Sequence, residues 1–412
     1  MHARKLFRKA VLPGLGTLGM AGLALAGAMP GGAGASVKAK AQHHTTNLAA
    51  LAKAVNAAAA QPTFATYAKG YGAPVKDAKK LKGMKLMIAV GDSQLAACAE
   101  IAQADATLAK AVGMVPTVFS TTGKISDLET ATSDAISQGY QAIDYGCDFN
   151  PELIAPAIAQ AEAHHLAVVS YGATPAEVAK THEDANTLDP FSFDAQIAVD
   201  QAVVQHHGKP FQALGIVSDV NPLFEQGLVP ELHKQCPKCT LTNITVPVPD
   251  WGPQLTSSVT AALLKNPKIT VLFPHYAGML STMVAGVEAA HRSSTIKSYL
   301  AFGGGTPEMQ QQAAGVGHQI IQSDIGGYPV WTGYLLLVDT AKVLVHQAPI
   351  PEATAIGPDR IATPQNVAQI LKTGGWGTDF VNGFRGMLGL PALSGSALFQ
   401  AATLNGTMTA KV

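Results

Sequence analysis

From Lys85 onward the chain alternates short apolar runs with amphipathic stretches of helical length, and few folds satisfy that rhythm. Lys85-Leu86-Met87-Ile88-Ala89-Val90 reads as a buried strand, followed by a helix over residues 95–112. Further strands are read at 115–120, 142–145 and 166–170, separated by helices at 125–138 and 152–165. A second set begins after the Gly- and Pro-containing stretch at 172–175. Its helices are read at 193–205, 223–234, 254–264 and 279–291, with a short one from Pro307. Its strands are read at 213–218, 240–246, 269–273, 298–302 and 319–323. Helices follow at 331–346 and 364–372. Strands spaced by helices of about 10–18 residues require right-handed crossovers and hence parallel sheets. Two such sets in succession predict an α/β fold of two similar Rossmann-like lobes, joined by hinge crossings near residues 172–175 and 326–329.

Ahead of this body lies an export signal. Arg4, Lys5, Arg8 and Lys9 precede an apolar, uncharged run over residues 11–28, and Ala26-Gly27-Ala28 and Ala33-Gly34-Ala35 offer two small-residue exits. The expected destination is the periplasm or the medium. Removing this leader leaves 24 Lys and Arg against 28 Asp and Glu. A mildly acidic protein has nothing to neutralise phosphates, so no nucleic acid is expected as a partner. No other segment has the length and apolarity of a membrane span. Residues 36–83, rich in Ala and Lys, read as an N-terminal extension with one short helix. Residues 386–412 read as a tail.

Four cysteines occur. An exported chain permits disulfides. Cys236-Pro237-Lys238-Cys239 suits a local disulfide, and its spacing also fits a redox motif; zinc would need further ligands, which are not nearby. Cys98 and Cys147 follow the first and third strands, which are neighbours in a 2-1-3 strand order. They are read as a bridge at the cleft rim or as two buried thiols. The tandem histidines His164-His165 and His206-His207 lie at helix ends, where adjacent positions diverge, so neither pair is read as a chelator.

Ligands of open parallel sheets sit beyond the carboxyl ends of the strands. Here those positions hold Asp92-Ser93-Gln94, Asp148 and Asn150, Asn221, Trp251, His275-Tyr276, Gly304 and Asp324. Asp92 and Asp324 equally suit caps or turns. Trp251, between Asp250 and Gly252, reads as an exposed loop aromatic available to a ligand. His275 and Tyr276 also fit ordinary strand-end residues.

Over residues 84–350 the chain resembles the periplasmic solute-binding proteins of ABC importers, in the group that includes ribose-binding protein. The resemblance rests on element order and on Gln138-Gly139-Tyr140-Gln141-Ala142-Ile143, Asn150-Pro151-Glu152-Leu153-Ile154, Gly305-Thr306-Pro307-Glu308, and the late helix with Gly333 and Asp339. It implies a type I binding protein whose lobes close over a small molecule and present it to a membrane permease. It implies ligand contacts from Ser93, Gln94, Asp148 or Asn150, Trp251 and Tyr276, with Asp324 near a lobe crossing. It also implies lobe 1 over 84–174 and 326–350, and lobe 2 over 175–325 and 351–385. Ribose binders carry an arginine where this chain has Phe224 and an aspartate where it has Gly304. Those departures imply a ligand less polar than a pentose, with an apolar or aromatic face. The expected protein is a monomer, not an enzyme, and needs no cofactor or metal. A sensory receptor that passes closure to a membrane kinase or chemoreceptor is the alternative. An exported hydrolase using Asp148 or Asp324 is a remoter one; no Gly-x-Ser-x-Gly, His-Glu-x-x-His or Walker pattern supports it.

Overall fold

The computed structural model describes residues 46–404, except 94, 148–150, 174, 219–222 and 302–305. The leader, and with it both cleavage sites, lies outside the described residues. Two short helices open the chain, α1 (Leu48–Ala58) and α2 (Phe64–Tyr71). The first βα set is β1 (Lys85–Val90), α3 (Ala96–Val112), β2 (Val115–Phe119), α4 (Ile125–Ser137), β3 (Ala142–Gly146), α5 (Ala155–Ala163), β4 (Ala167–Tyr171), α6 (Pro175–Thr181) and β5 (Ala185–Thr187). The second is α7 (Phe191–Gln205), β6 (Gln212–Val217), α8 (Leu223–Gln235), β7 (Thr240–Thr245), α9 (Leu255–Lys265), β8 (Ile269–Pro274), α10 (Leu280–Ala289), β9 (Lys297–Ala301), α11 (Thr306–Ala313) and β10 (Ile321–Gly327). The chain closes with α12 (Pro329–Leu344), β11 (Asp359–Ala362), α13 (Val367–Lys372), α14 (Asp379–Met387) and α15 (Gly395–Ala402).

The strand order is β2-β1-β3-β4-β5 in one sheet and β11-β10-β9-β8-β6-β7 in the other. All pairings are parallel except β10 with β11. In both sheets the first strand lies between the second and third, so the two sets repeat one topology. The α/β architecture of two parallel sheets is therefore as the sequence predicts. The chain stays in the first sheet longer than expected. Gly172 N–H donates to Thr187 O, and β5 pairs with β4. The passage to the second sheet is at residues 188–190, rather than 172–175. β5 lacks the apolar run that announces a strand, since Ala185-Asn186-Thr187 is short and polar. A return passage lies at 327–329, and a third leads from α12 to β11.

α12 packs against α3 and is buried on nearly every face. A Cβ on Gly333 would lie 2.3 Å from Ile101 O and 2.7 Å from Ala104 Cβ, so the two helices approach where only a glycine fits. Replacing Gly333 by valine is expected to force them apart and to cost about 1–3 kcal/mol. Urea unfolding measures this, and an unchanged midpoint would contradict the close contact.

The segments read as extension and tail are built into the body. α2 places Phe64 and Tyr71 against Trp331 of α12 and Phe384 of α14, with Phe64 and Phe384 centroids 4.9 Å apart. Trp331 Nε1 donates to Tyr71 Oη (3.0 Å), and Lys342 Nζ donates to Tyr71 O (2.6 Å). Tyr328 Oη donates to Ala402 O, fastening α15 to the same layer. The histidines at helix ends also have an account. His165, His182, His207, His291 and His346 all take positive φ (54–63°) just past the helices α5, α6, α7, α10 and α12. That is the left-handed position which ends helices, commonly filled by glycine and tolerated by His better than by bulky or β-branched residues.

Candidate functional site

In sheets of this order a crevice opens beyond the carboxyl ends where strand order reverses. The reversals fall between β1 and β3 and between β6 and β8. At the first, Gly91 N–H donates to Gly146 O, and a Cβ on Gly91 would lie 2.1 Å from Cys147 O. Glycine is required for the loops to pass this closely. Cys98, near the start of α3, is bridged to Cys147 with Cα atoms 5.1 Å apart. Cys147 takes φ +72°, which few non-glycine residues adopt. Of the two sequence alternatives for this pair, the structure has the bridge. Ser93 Oγ donates to Thr121 O (2.5 Å), and Thr121 Oγ1 donates to Gly91 O (2.7 Å). Asp92 makes an isolated β-bridge with Thr122. Asp92 and Ser93 thus fasten the 91–95 loop to the 120–123 loop.

At the second reversal, Ser218 N–H donates to His275 Nδ1 (3.1 Å), and His275 Nε2 lies 2.9 Å from Glu225 Oε1. Since Nδ1 accepts, the proton sits on Nε2 and is donated to Glu225. Both ring nitrogens are therefore engaged. The ring meets Phe224 edge-on at 4.2 Å between centroids. His275 ties the ends of β6 and β8 together, as the disulfide ties those of β1 and β3.

Trp251 is not the exposed loop aromatic its neighbours suggest; it is 5% exposed. Its Nε1 donates to Val246 O (2.9 Å), and its ring leans on Tyr276 with centroids 5.2 Å apart. Tyr276 in turn meets Phe191 edge-on. A Cβ on Gly278 would lie 3.3 Å from Trp251 Cζ3 and 3.5 Å from Leu95 Cδ2. Leu95 belongs to the loop after β1, so the aromatic wall of the second sheet approaches the first sheet here. Phe224 lies in the core beside α7. Asp324 is buried; Gln312 Nε2 donates to its Oδ2 (3.2 Å), and burial, followed by the charge of Glu308, pushes its carboxyl well above the usual range. Gln94, Asp148, Asn150, Asn221 and Gly304 lie outside the described residues.

Sequence reading missed a link between the sheets. Glu100 of α3 accepts from Thr306 N–H (3.2 Å) and Thr306 Oγ1 (3.0 Å), at the amino end of α11. Burial raises its carboxyl to about 7, against the lowering effect of those two bonds. The signal available was Thr306 at the start of a helix, but its acceptor comes from 206 residues away. Unused hydrogen-bonding atoms remain at two strand ends: Thr187 Oγ1 at the end of β5 and Ser218 Oγ just after β6 are buried without a partner. Asp324, whose Oδ1 is likewise unpartnered, lies within β10 rather than beyond its end, because the strand runs on to Gly327 through its pairing with β11. By contrast, the Cys236–Cys239 disulfide lies between α8 and β7, at the amino ends of the strands, and the sulfur of Cys239 accepts from Phe211 N–H. A surface cavity of about 360 Å³ lined by Lys297, His318, Gln319 and Pro364 also lies at the amino ends, away from both crevices. Among the described residues no helix is long and apolar enough to cross a membrane.

No family model matches the chain, and no curated protein does. Solved structures do. An ABC transporter solute-binding protein from Agrobacterium vitis with bound allitol superposes with a TM-score of 0.62 at 19% identity, over 71% of this chain and 99% of that one. The 5-methylthioribose transporter solute-binding protein from Thermotoga lettingae, in complex with 5-methylthioribose, gives 0.61 at 14% identity, over 81% and 100%. A carbohydrate transporter protein from Acidothermus cellulolyticus in complex with myo-inositol gives 0.60 at 17%, over 71% and 98%. Nearly all of each relative is matched, while this chain has residues to spare. The chain has the fold of the sugar-binding proteins of ABC transporters, the type I periplasmic binding fold.

Proposed function

We propose that this chain is an exported solute-binding protein: two lobes close about their crossings over one small molecule and deliver it to an ABC-type permease. The observation that supports the reading is the approach of the aromatic wall beyond β8 to the loop beyond β1, with each strand-order reversal braced at its rim. Thr187 and Ser218 supply acceptors and donors for hydroxyls, and a buried hydroxyl left unpaired is unfavourable by about 1–3 kcal/mol. Trp251 and Tyr276 offer apolar faces. That combination suits a small hydroxylated molecule with one apolar face, better than a bare pentose. No step of bond making or breaking is assigned to it. The ligands of the similar structures, allitol, myo-inositol and 5-methylthioribose, set the test panel, with ribose added as the bare pentose for comparison.

Thermal unfolding of the purified protein with each compound is the experiment. A ligand at a hundredfold excess over its Kd adds about 2.7 kcal/mol of stability by mass action. A clear rise in Tm with at least one solute, without chemical change of that solute, is expected. No rise with any member, or turnover of one, would contradict the proposal.

A further inference from the structure

We propose that Asp189, Asp194 and Asp359 bind a hard divalent cation, Ca²⁺ being the probe of choice, where the chain passes between its two sheets. One carboxylate oxygen from each lies within 4.8 Å of those of the other two. Oxygens bound to one Ca²⁺ at about 2.4 Å lie at most about 4.8 Å apart, so all three fit a single coordination sphere. Asp194 is fully buried, and neither of its oxygens has a hydrogen-bond partner. An ionised carboxylate is not left so without a counter-charge or a proton.

The surroundings supply acids rather than cations. After burial, the charges of Asp359, Asp189 and Asp324 are what act on Asp194, so the groups around it add negative charge. Arg360 follows Asp359 but is spent elsewhere. Its guanidinium donates to Ala59 O and Gly375 O and lies over the Trp376 ring. Asp189 accepts from Tyr171 Oη, which fixes its orientation toward the group. Carboxylate-only donors favour Ca²⁺, Mg²⁺ or Mn²⁺ over softer metals.

The position gives the cation work to do. Asp189 sits on the 188–190 crossing, Asp194 in the first turn of α7, and Asp359 at the start of β11. Leu188 N–H donates to Ala355 O, so two passages already run side by side. A Cβ on Gly327, at the remaining passage, would lie 3.8 Å from Asp359 Oδ1. A bound cation joins all three passages at the pivot about which lobes of this arrangement turn.

The test uses the full mature chain stripped with EDTA. Tb³⁺ replaces Ca²⁺ at oxygen sites and is sensitised by nearby tyrosine, here Tyr171. A saturable one-to-one Tb³⁺ emission, displaced by Ca²⁺, is expected, together with a rise of several degrees in Tm on adding millimolar Ca²⁺. Asp194→Asn should abolish both responses. Calorimetric titration of the unsubstituted protein decides alone should the variant not fold. Equal Tm in EDTA and in Ca²⁺, Mg²⁺ or Mn²⁺, with no Tb³⁺ emission above the variant's, would overturn the site. These readouts need no solute, so their failure would leave the solute-binding proposal standing, and the converse.

Discussion

Replacing Cys98 and Cys147 together by alanine is expected to lower stability by about 4 kcal/mol. The bridge closes a loop with a sequence separation of 49, whereas the Cys236–Cys239 bridge closes one of 3. Chain entropy removed from the unfolded state grows with loop length, so the local pair should contribute only about 2 kcal/mol. The larger loss has a structural counterpart. Without the bridge, nothing covalent holds Cys147 in its left-handed conformation against Gly91. Urea unfolding of the two double variants measures the difference. Equal losses would show that the β1–β3 reversal is ordered without its disulfide, contrary to the role given to it here.

The second large effect is on pH. Burial, the leading cause in each case, raises the carboxyls of Glu100, Glu183 and Asp339 to about 7, from unfolded values near 4. Burial also raises Asp105 of α3 and Asp144 of β3, each followed in its effect by neighbouring groups, with Thr340 Oγ1 donating to Asp144 Oδ1. A group whose folded pKa is raised binds its proton more tightly folded than unfolded. Its contribution is complete below about pH 4 and is lost as pH climbs through about 7. Each such group forfeits up to about 2–3 kcal/mol between pH 5 and 8. The protein in EDTA is therefore expected to melt on the order of 10 °C lower at pH 8 than at pH 5. A Tm that rises over that interval would refute the assignment of these acids as buried groups that hold their protons more tightly folded than unfolded. Occupancy of the Asp189–Asp194–Asp359 group by Ca²⁺ should flatten the decline, since the metal replaces protons there.

The repeated strand order was legible because each strand of the two sets, from β1 to β4 and from β6 to β10, is a compact run bounded by an amphipathic helix. β5 and β11 were not, because Ala185-Asn186-Thr187 and Asp359-Arg360-Ile361-Ala362 owe their extended form to the neighbours they pair with. The extension and the tail looked irregular for a similar reason. Phe64 meets Phe384, and Tyr71 meets Trp331, across some 260 to 320 residues that no local period spans. At the site, strand ends told where to look, but not how each side chain is spent. His275 is consumed by Ser218 and Glu225, and the Nε1 donor of Trp251 by Val246. Glu100 and the three aspartates at the crossings gave no local signal, since each needs partners from distant segments.

Capture of a solute between two lobes is the central claim, and small-angle scattering of the purified protein tests it most directly. The solute is the panel member that raises Tm most, at saturation confirmed by calorimetry. Closure about the three passages predicts that the radius of gyration falls on saturation and recovers when the solute is removed. A saturated protein whose scattering curve is unchanged from that of the solute-free protein would contradict capture by closure.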